Sequence, residues 1–229
     1  MGLLNNVFPF LLIVWGQKEI ASGLAAILNA AAPIFSVIVA GIWLKDEPVT
    51  RSRLLGAALG LVGVAVLIGP SALAGLDANL LAQLAVLGAA LSYAFAGVYA
   101  RRFPRMNIDP VVAAAGQLLM SSLVLIVLAL MFEAPSQLLQ TSASVWMAVI
   151  FMAVFSTALA YILYFRLLAT AGATNAILVT LLIPVTAVLL GTIILNERLQ
   201  WGHLLGMIVI GLGLAVIDGR LWNRLARRS

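Results

Sequence analysis

Charged residues along this chain fall in clusters, and between the clusters lie long uncharged runs at 1–17, 20–44, 54–76, 78–100, 110–132, 134–165, 176–195 and 199–217. A helix needs about 20 apolar residues to cross roughly 30 Å of hydrocarbon, so most of these runs suffice and eight spans are expected. The run 134–165 exceeds one span, but Pro135, Ser136, Gln137, Gln140, Thr141, Ser142 and Ser144 make its first third a loop, leaving one helix near 145–168. The first run holds Asn5, Asn6 and Pro9 and lacks both a basic start and a small-residue cleavage site before Lys18. It therefore reads as a span rather than a secretory signal. The pattern predicts an all-α, polytopic membrane helical bundle.

The runs repeat. Shifting the chain by 150 positions lays 20–44, with Pro33 inside and Lys45-Asp46-Glu47 after it, over 176–195, with Pro184 inside and Asn196-Glu197-Arg198 after it. The match carries Gly41 onto Gly191, Glu47 onto Glu197, Leu54-Leu55-Gly56 onto Leu204-Leu205-Gly206 and Gly63 onto Gly213. Shared Gly and Glu positions in one ungapped frame are hard to attribute to apolar composition, so an internal duplication is expected. Five spans fall within one period, and an odd number of crossings makes the two copies enter the bilayer from opposite faces, an inverted repeat. Residues 1–70 would be an incomplete first repeat of three helices, 77–219 a second repeat of five, and 220–229 a basic cytoplasmic tail. The two spans short of ten are read as truncation, with a natural short form as the alternative.

Composition agrees: 64% hydrophobic and 9% charged residues in 229 leave too little polar surface for a soluble globule. If loops alternate sides, Lys45, Arg51, Arg53, Arg101, Arg102, Arg105, Arg166, Arg220, Arg224, Arg227 and Arg228 share one side, against Lys18 and Arg198 on the other. The positive-inside rule then puts both termini in the cytoplasm of a multi-pass inner-membrane protein. The basic tail is explained by an anionic leaflet, so no nucleic-acid partner is expected. With no cysteine and one histidine, His203, the chain offers no disulfide and no metal site, and no cofactor is expected. Without a nucleophile paired with a base, an enzyme is not expected either.

Polar residues within the spans are the binding candidates, because an amide or hydroxyl in hydrocarbon is costly without a partner. Ser22, Asn29 and Ser36 recur every seven residues on one helix face. Asn29 stands four residues before Pro33, whose missing N–H frees the Asn29 carbonyl, and Thr180 stands four before Pro184. Such breaks persist in membranes where protein or water satisfies them. A simple kink with the side chain bonded to its own helix is the alternative, above all for Thr180. Asn6, Tyr93, Gln117 and Tyr161 complete the expected lining, Tyr161 sharing a face with Thr157 and Tyr164. Gly56-x-x-x-Gly60 with Gly63, and Gly202-x-x-x-Gly206 with Gly211 and Gly213, are close-packing surfaces, intramolecular or else the seam of a homodimer.

The stretch from Ser22 to Pro33, Lys45-Asp46-Glu47-Pro48 ahead of Leu54-Leu55-Gly56, and Leu182-Ile183-Pro184 with Asn196-Glu197-Arg198-Leu199 resemble the drug/metabolite transporter superfamily, EamA type. The resemblance covers essentially the whole chain. It implies two inverted five-helix repeats, cytoplasmic termini and export of small metabolites such as amino acids. With no acidic residue in mid-span, the expectation is a secondary exporter of neutral or zwitterionic metabolites working by alternating access, either by facilitated efflux or coupled to protons through parts outside these residues. A non-transporting membrane partner, or a half-transporter needing another subunit, is the alternative.

Overall fold

The computed structural model describes residues 1–69, 79–132, 142–194 and 200–218. Besides one short helical turn at Arg102–Arg105, these form eight helical segments in the expected order: α1 (a π-helical start Leu3–Val7, then Phe8–Glu19), α2 (Ser22–Trp43), α3 (Arg51–Ile68), α4 (Leu80–Ala100), α5 (Pro110–Phe132), α6 (Ala143–Ala171), α7 (Ala173–Ile194) and α8 (Trp201–Asp218). Six are long and apolar enough to span a bilayer, and Trp201–Ile217 is a shorter apolar helix. Among the described residues there is no strand. Glu197, Arg198, Gly219 and the basic tail lie outside the described residues.

Local chemistry sets the ends. The Thr50 hydroxyl accepts the Arg53 N–H at 3.3 Å and starts α3; Asn79 Oδ1 accepts the Ala82 N–H at 3.2 Å and starts α4. Asp109 Oδ1 accepts the Val111 N–H at 2.7 Å ahead of α5, whose first residue, Pro110, has no N–H to satisfy. Gly172, at φ +89°, ends α6 and begins α7 without an intervening loop.

The backbone repeats as the sequence does. α8 has the bounds of α3 moved by 150 residues. α2 is interrupted at Ala30 and Ala31, before Pro33; α7 narrows to a 3-10 turn over Leu178–Leu181, before Pro184. Even the widened π turns correspond, Leu3–Val7 in α1 and Met152–Leu159 in α6.

The most extensive helix contact is α3 against α8, and the glycines permit it. A Cβ on Gly213 would stand 2.6 Å from the Gly56 carbonyl, and one on Gly206 would stand 2.6 Å from the Leu67 backbone. The contacts come in exchanged couples: Gly56 with Gly213 and Gly63 with Gly206; Gly56 with Ile217 and Leu67 with Gly206; Gly63 with Ile210 and Gly60 with Gly213. Moving both members of a contact to their 150-shifted counterparts turns one pair of each couple into the other. A two-fold axis between the helices requires that exchange. Numbers rise along one helix as they fall along its partner, so the two run antiparallel. Gly56, Gly60, Gly63, Gly206 and Gly213 are thus packed within one chain, whereas Gly211 lies on the exposed side with nothing within 4 Å of a Cβ there.

Candidate binding cavity

A cavity of about 340 Å³ opens where α1, α2, α4, α6 and α7 converge. It gathers Asn29, Tyr93, Tyr161 and Thr180 from four helices, together with Asn5, Phe10, Ser156, Thr157 and Tyr164. None of its lining side chains is charged. A second cavity of about 460 Å³ lies between α2, α3, α7 and the start of α8, and shares Asn29, Thr180 and Ile183 with the first. Its wall runs on through Ala26, Leu67, Ile68 and Val188 to Ser22 and His203. The two cavities adjoin across these shared residues, a polar aromatic lobe on one side and a more aliphatic lobe reaching His203 on the other.

The two proline breaks differ at this junction. Around Asn29, the Ala30 N–H bonds to Ala26, the Ala31 N–H to Leu28, and the N–H groups of Ile34 and Phe35 both bond to Ala31. Pro33 has no N–H to offer the Asn29 carbonyl. The side-chain Oδ1 of Asn29 is buried and has no hydrogen-bond partner among the described residues; a buried oxygen without a donor costs about 1–3 kcal/mol. Thr180 is self-contained: its hydroxyl donates to the Ile177 carbonyl at 2.8 Å, the back-bonded geometry open to a helical threonine.

Asn6 and Gln117, expected in the lining, stand one layer behind the central lobe. Asn6 Oδ1 accepts from the Tyr161 hydroxyl and from Gln117 Nε2, both at 2.9 Å, while Asn6 Nδ2 donates to Ser121 at 3.1 Å. Asn5 Nδ2 donates to Gln117 Oε1 at 3.4 Å, and Ser92 donates to the Leu4 carbonyl at 2.7 Å. Two adjacent amides point into one network because they ride on the π turn, which widens the helix and redirects its side chains. The network holds α1, α5 and α6 together and fixes the Tyr161 ring at the cavity wall. Tyr164, Ser156 and Phe10 also reach the lining; the Thr157, Tyr161, Tyr164 stripe pointed to Tyr164, while Phe10 carried no sequence signal. His203, set aside as a metal ligand, lines the second lobe, with its Nδ1 accepting the Gln200 N–H at 3.4 Å.

A family model described as the EamA-like transporter family matches residues 1–69 and 80–218. An uncharacterized transporter of Bacillus subtilis, YoaV, is 27% identical over 214 residues, 93% of this chain and 72% of that protein. A probable amino-acid metabolite efflux pump of Salmonella typhimurium is 27% identical over 229 residues, 97% and 75% of the two chains. A solved crystal structure superposes with a TM-score of 0.78 at 20% identity, over 94% of this chain and 73% of its own. With a two-lobed cavity inside an all-α membrane bundle and a family match along nearly its whole length, the chain belongs to the EamA-like transporter family.

Proposed function

We propose that this transporter exports small neutral or zwitterionic metabolites, amino acids among them, by alternating access. The observation that carries the reading is the buried Asn29 Oδ1, without a partner among the described residues, beside two lobes whose only ionisable side chains among those residues are tyrosines and His203. An ammonium group suits that oxygen and the carbonyl freed by Pro33, the apolar second lobe suits a hydrocarbon side chain, and a multiply charged ligand would find no counter-charge. The likeness to a probable amino-acid metabolite efflux pump supports the same class. In this reading the units are residues 1–70 and 77–219, the end carrying Lys45, Arg51, Arg53 and Arg101 faces the cytoplasm, both termini are cytoplasmic and the membrane is the inner one.

The test is efflux of a panel of neutral amino acids from loaded vesicles, with and without a pH gradient. Saturable flux of at least one, reduced by Asn29→Ala, supports the reading. Correctly inserted protein that moves only anionic or cationic solutes overturns it. A second reading, in which a further helical element covers α6 and α7 before transport occurs, is favoured by the low burial of α7, of whose apolar stretch 18% is buried against 56% for α2. Flux appearing only with a co-purified partner would select it.

A further inference from the structure

Glu47 lies in the loop between α2 and α3, yet it is only 6% exposed. Its Oε1 accepts the N–H of Ala173 at 2.6 Å and its Oε2 the N–H of Thr174 at 2.8 Å. These N–H groups open α7 and have no acceptor within their own helix, and the helix dipole favours a carboxylate there. Arg101, at the end of α4, stands with Nε 3.9 Å from Glu47 Oε1, pairs with Asp46 and donates to the Leu168 carbonyl at 3.3 Å. Asp46 is held below the usual carboxylate range by a hydrogen bond to its own backbone and by Arg101. Gly172 leaves room for this arrangement, since a Cβ there would lie 2.5 Å from Glu47 Oε1. One carboxylate therefore ties the end of the first proline-broken arm to the start of the second.

The space on either side of the central lobe is unequal. Toward Glu47 it meets a packed layer of Ala40, Leu44, Ala100, Phe165, Leu168 and Ala173. In the other direction Asn29 and Thr180 wall both it and the second cavity, which reaches Ser22 and His203. The tie thus stands beyond this packed layer, on the side away from Ser22 and His203, where separate cavities, one of about 560 Å³ lined by Met1, Phe103 and Gln117, lie outside the layer.

We propose that Glu47 is a positioning residue for the transport step, a latch whose carboxylate holds the inner ends of α2 and α7 together while the cavity faces the His203 side, and which leaves α7 when the cavity opens inward. The inference rests on the alternating-access reading above. Glu47 touches no ligand; it acts through the two arms.

The chain has no cysteine, so single thiols report each side cleanly: Ala40→Cys beneath the latch and Ser22→Cys in the wall of the second lobe, each labelled in vesicles with a membrane-impermeant maleimide. Adding Glu47→Ala is expected to speed labelling at position 40 from the latch side at least tenfold and to slow labelling at position 22 from the opposite side severalfold. Glu47→Asp restores part of both. Gly172→Ala, which attacks the same contact from the other partner, moves both rates the same way and carries the test if Glu47→Ala fails to reach the membrane. Unchanged rates, or a rise at both positions together, overturn the latch, since a loosened fold exposes both sides. If neutral amino acids trade the two rates in protein with Glu47 intact while Glu47→Ala changes nothing, the latch falls and alternating access stands. If no ligand and no variant ever trades them, both fall.

Discussion

The two proline-broken arms, α2 and α7, match in sequence and share a backbone plan, yet they live in different surroundings. In α2, 56% of the apolar stretch is buried; in α7, 18%. Among the described residues α4 packs along α2 but meets α7 chiefly at its first turn. At the breaks the contrast turns chemical. Asn29 in α2 keeps a buried oxygen without a donor, whereas Thr180 in α7 spends its hydroxyl on its own helix. Duplication fixes where a helix bends, and neighbours decide whether the bend is available to a ligand.

The α3–α8 seam is where the copies meet as equals, so it provides the baseline for any asymmetry. Gly56→Val and Gly206→Val, each pressing a side chain onto the opposite backbone, are expected to destabilise the protein by similar amounts, about 3 kcal/mol, the upper end for overpacking a tight contact. Thermal unfolding in detergent measures both. A large inequality between them would mean that the local two-fold relation does not extend to energetics. Next in size is Asn29→Ala, expected to lower efflux roughly tenfold, about 1.4 kcal/mol of lost ligand interaction, with membrane abundance unchanged. Equal flux in the variant and the parent would remove the ligand from the first arm.

Tyr161→Phe separates cavity from scaffold. Asn6 Oδ1 loses the tyrosine hydroxyl but keeps Gln117 Nε2, so the expected cost is about 1 kcal/mol of stability, the net worth of one hydrogen bond, with a smaller flux change than at Asn29. A flux loss exceeding that of Asn29→Ala would make the hydroxyl itself a ligand contact.

Much of this architecture is legible in the sequence. Uncharged runs mark helices because hydrocarbon tolerates little else, and the 150-residue shift marks the second copy because glycines at a close seam cannot be replaced cheaply. Asn29 is legible for the same reason, a polar group beside a proline on an inward face. Glu47 is legible as a marker of the repeat but not as a buried group: after Lys45 and Asp46 it reads as one more solvated charge, and its burial depends on N–H groups 126 and 127 residues away. Asn6 and Gln117 are legible as buried polar groups but not as a second layer, because their partners lie on helices whose rotation hydropathy does not encode. The π turns that aim Asn5 and Asn6 leave no trace in apolar spacing.

Thr180→Val carries the smallest expected effect and the sharpest test of the contrast between the arms. The substitution keeps the shape of the side chain and removes only the hydroxyl, whose donated bond ends on Ile177 within the same turn. That carbonyl gains little from a back-bond and loses little without it. Efflux should change by less than about twofold and stability by under about 1 kcal/mol. If the variant instead matches Asn29→Ala in lost flux, the hydroxyl must leave Ile177 when ligand arrives, and the second arm would bind as the first does. The difference between the arms would then be one of surroundings alone, and the ligand, by recruiting both breaks at once, would restore the symmetry that α4 takes away.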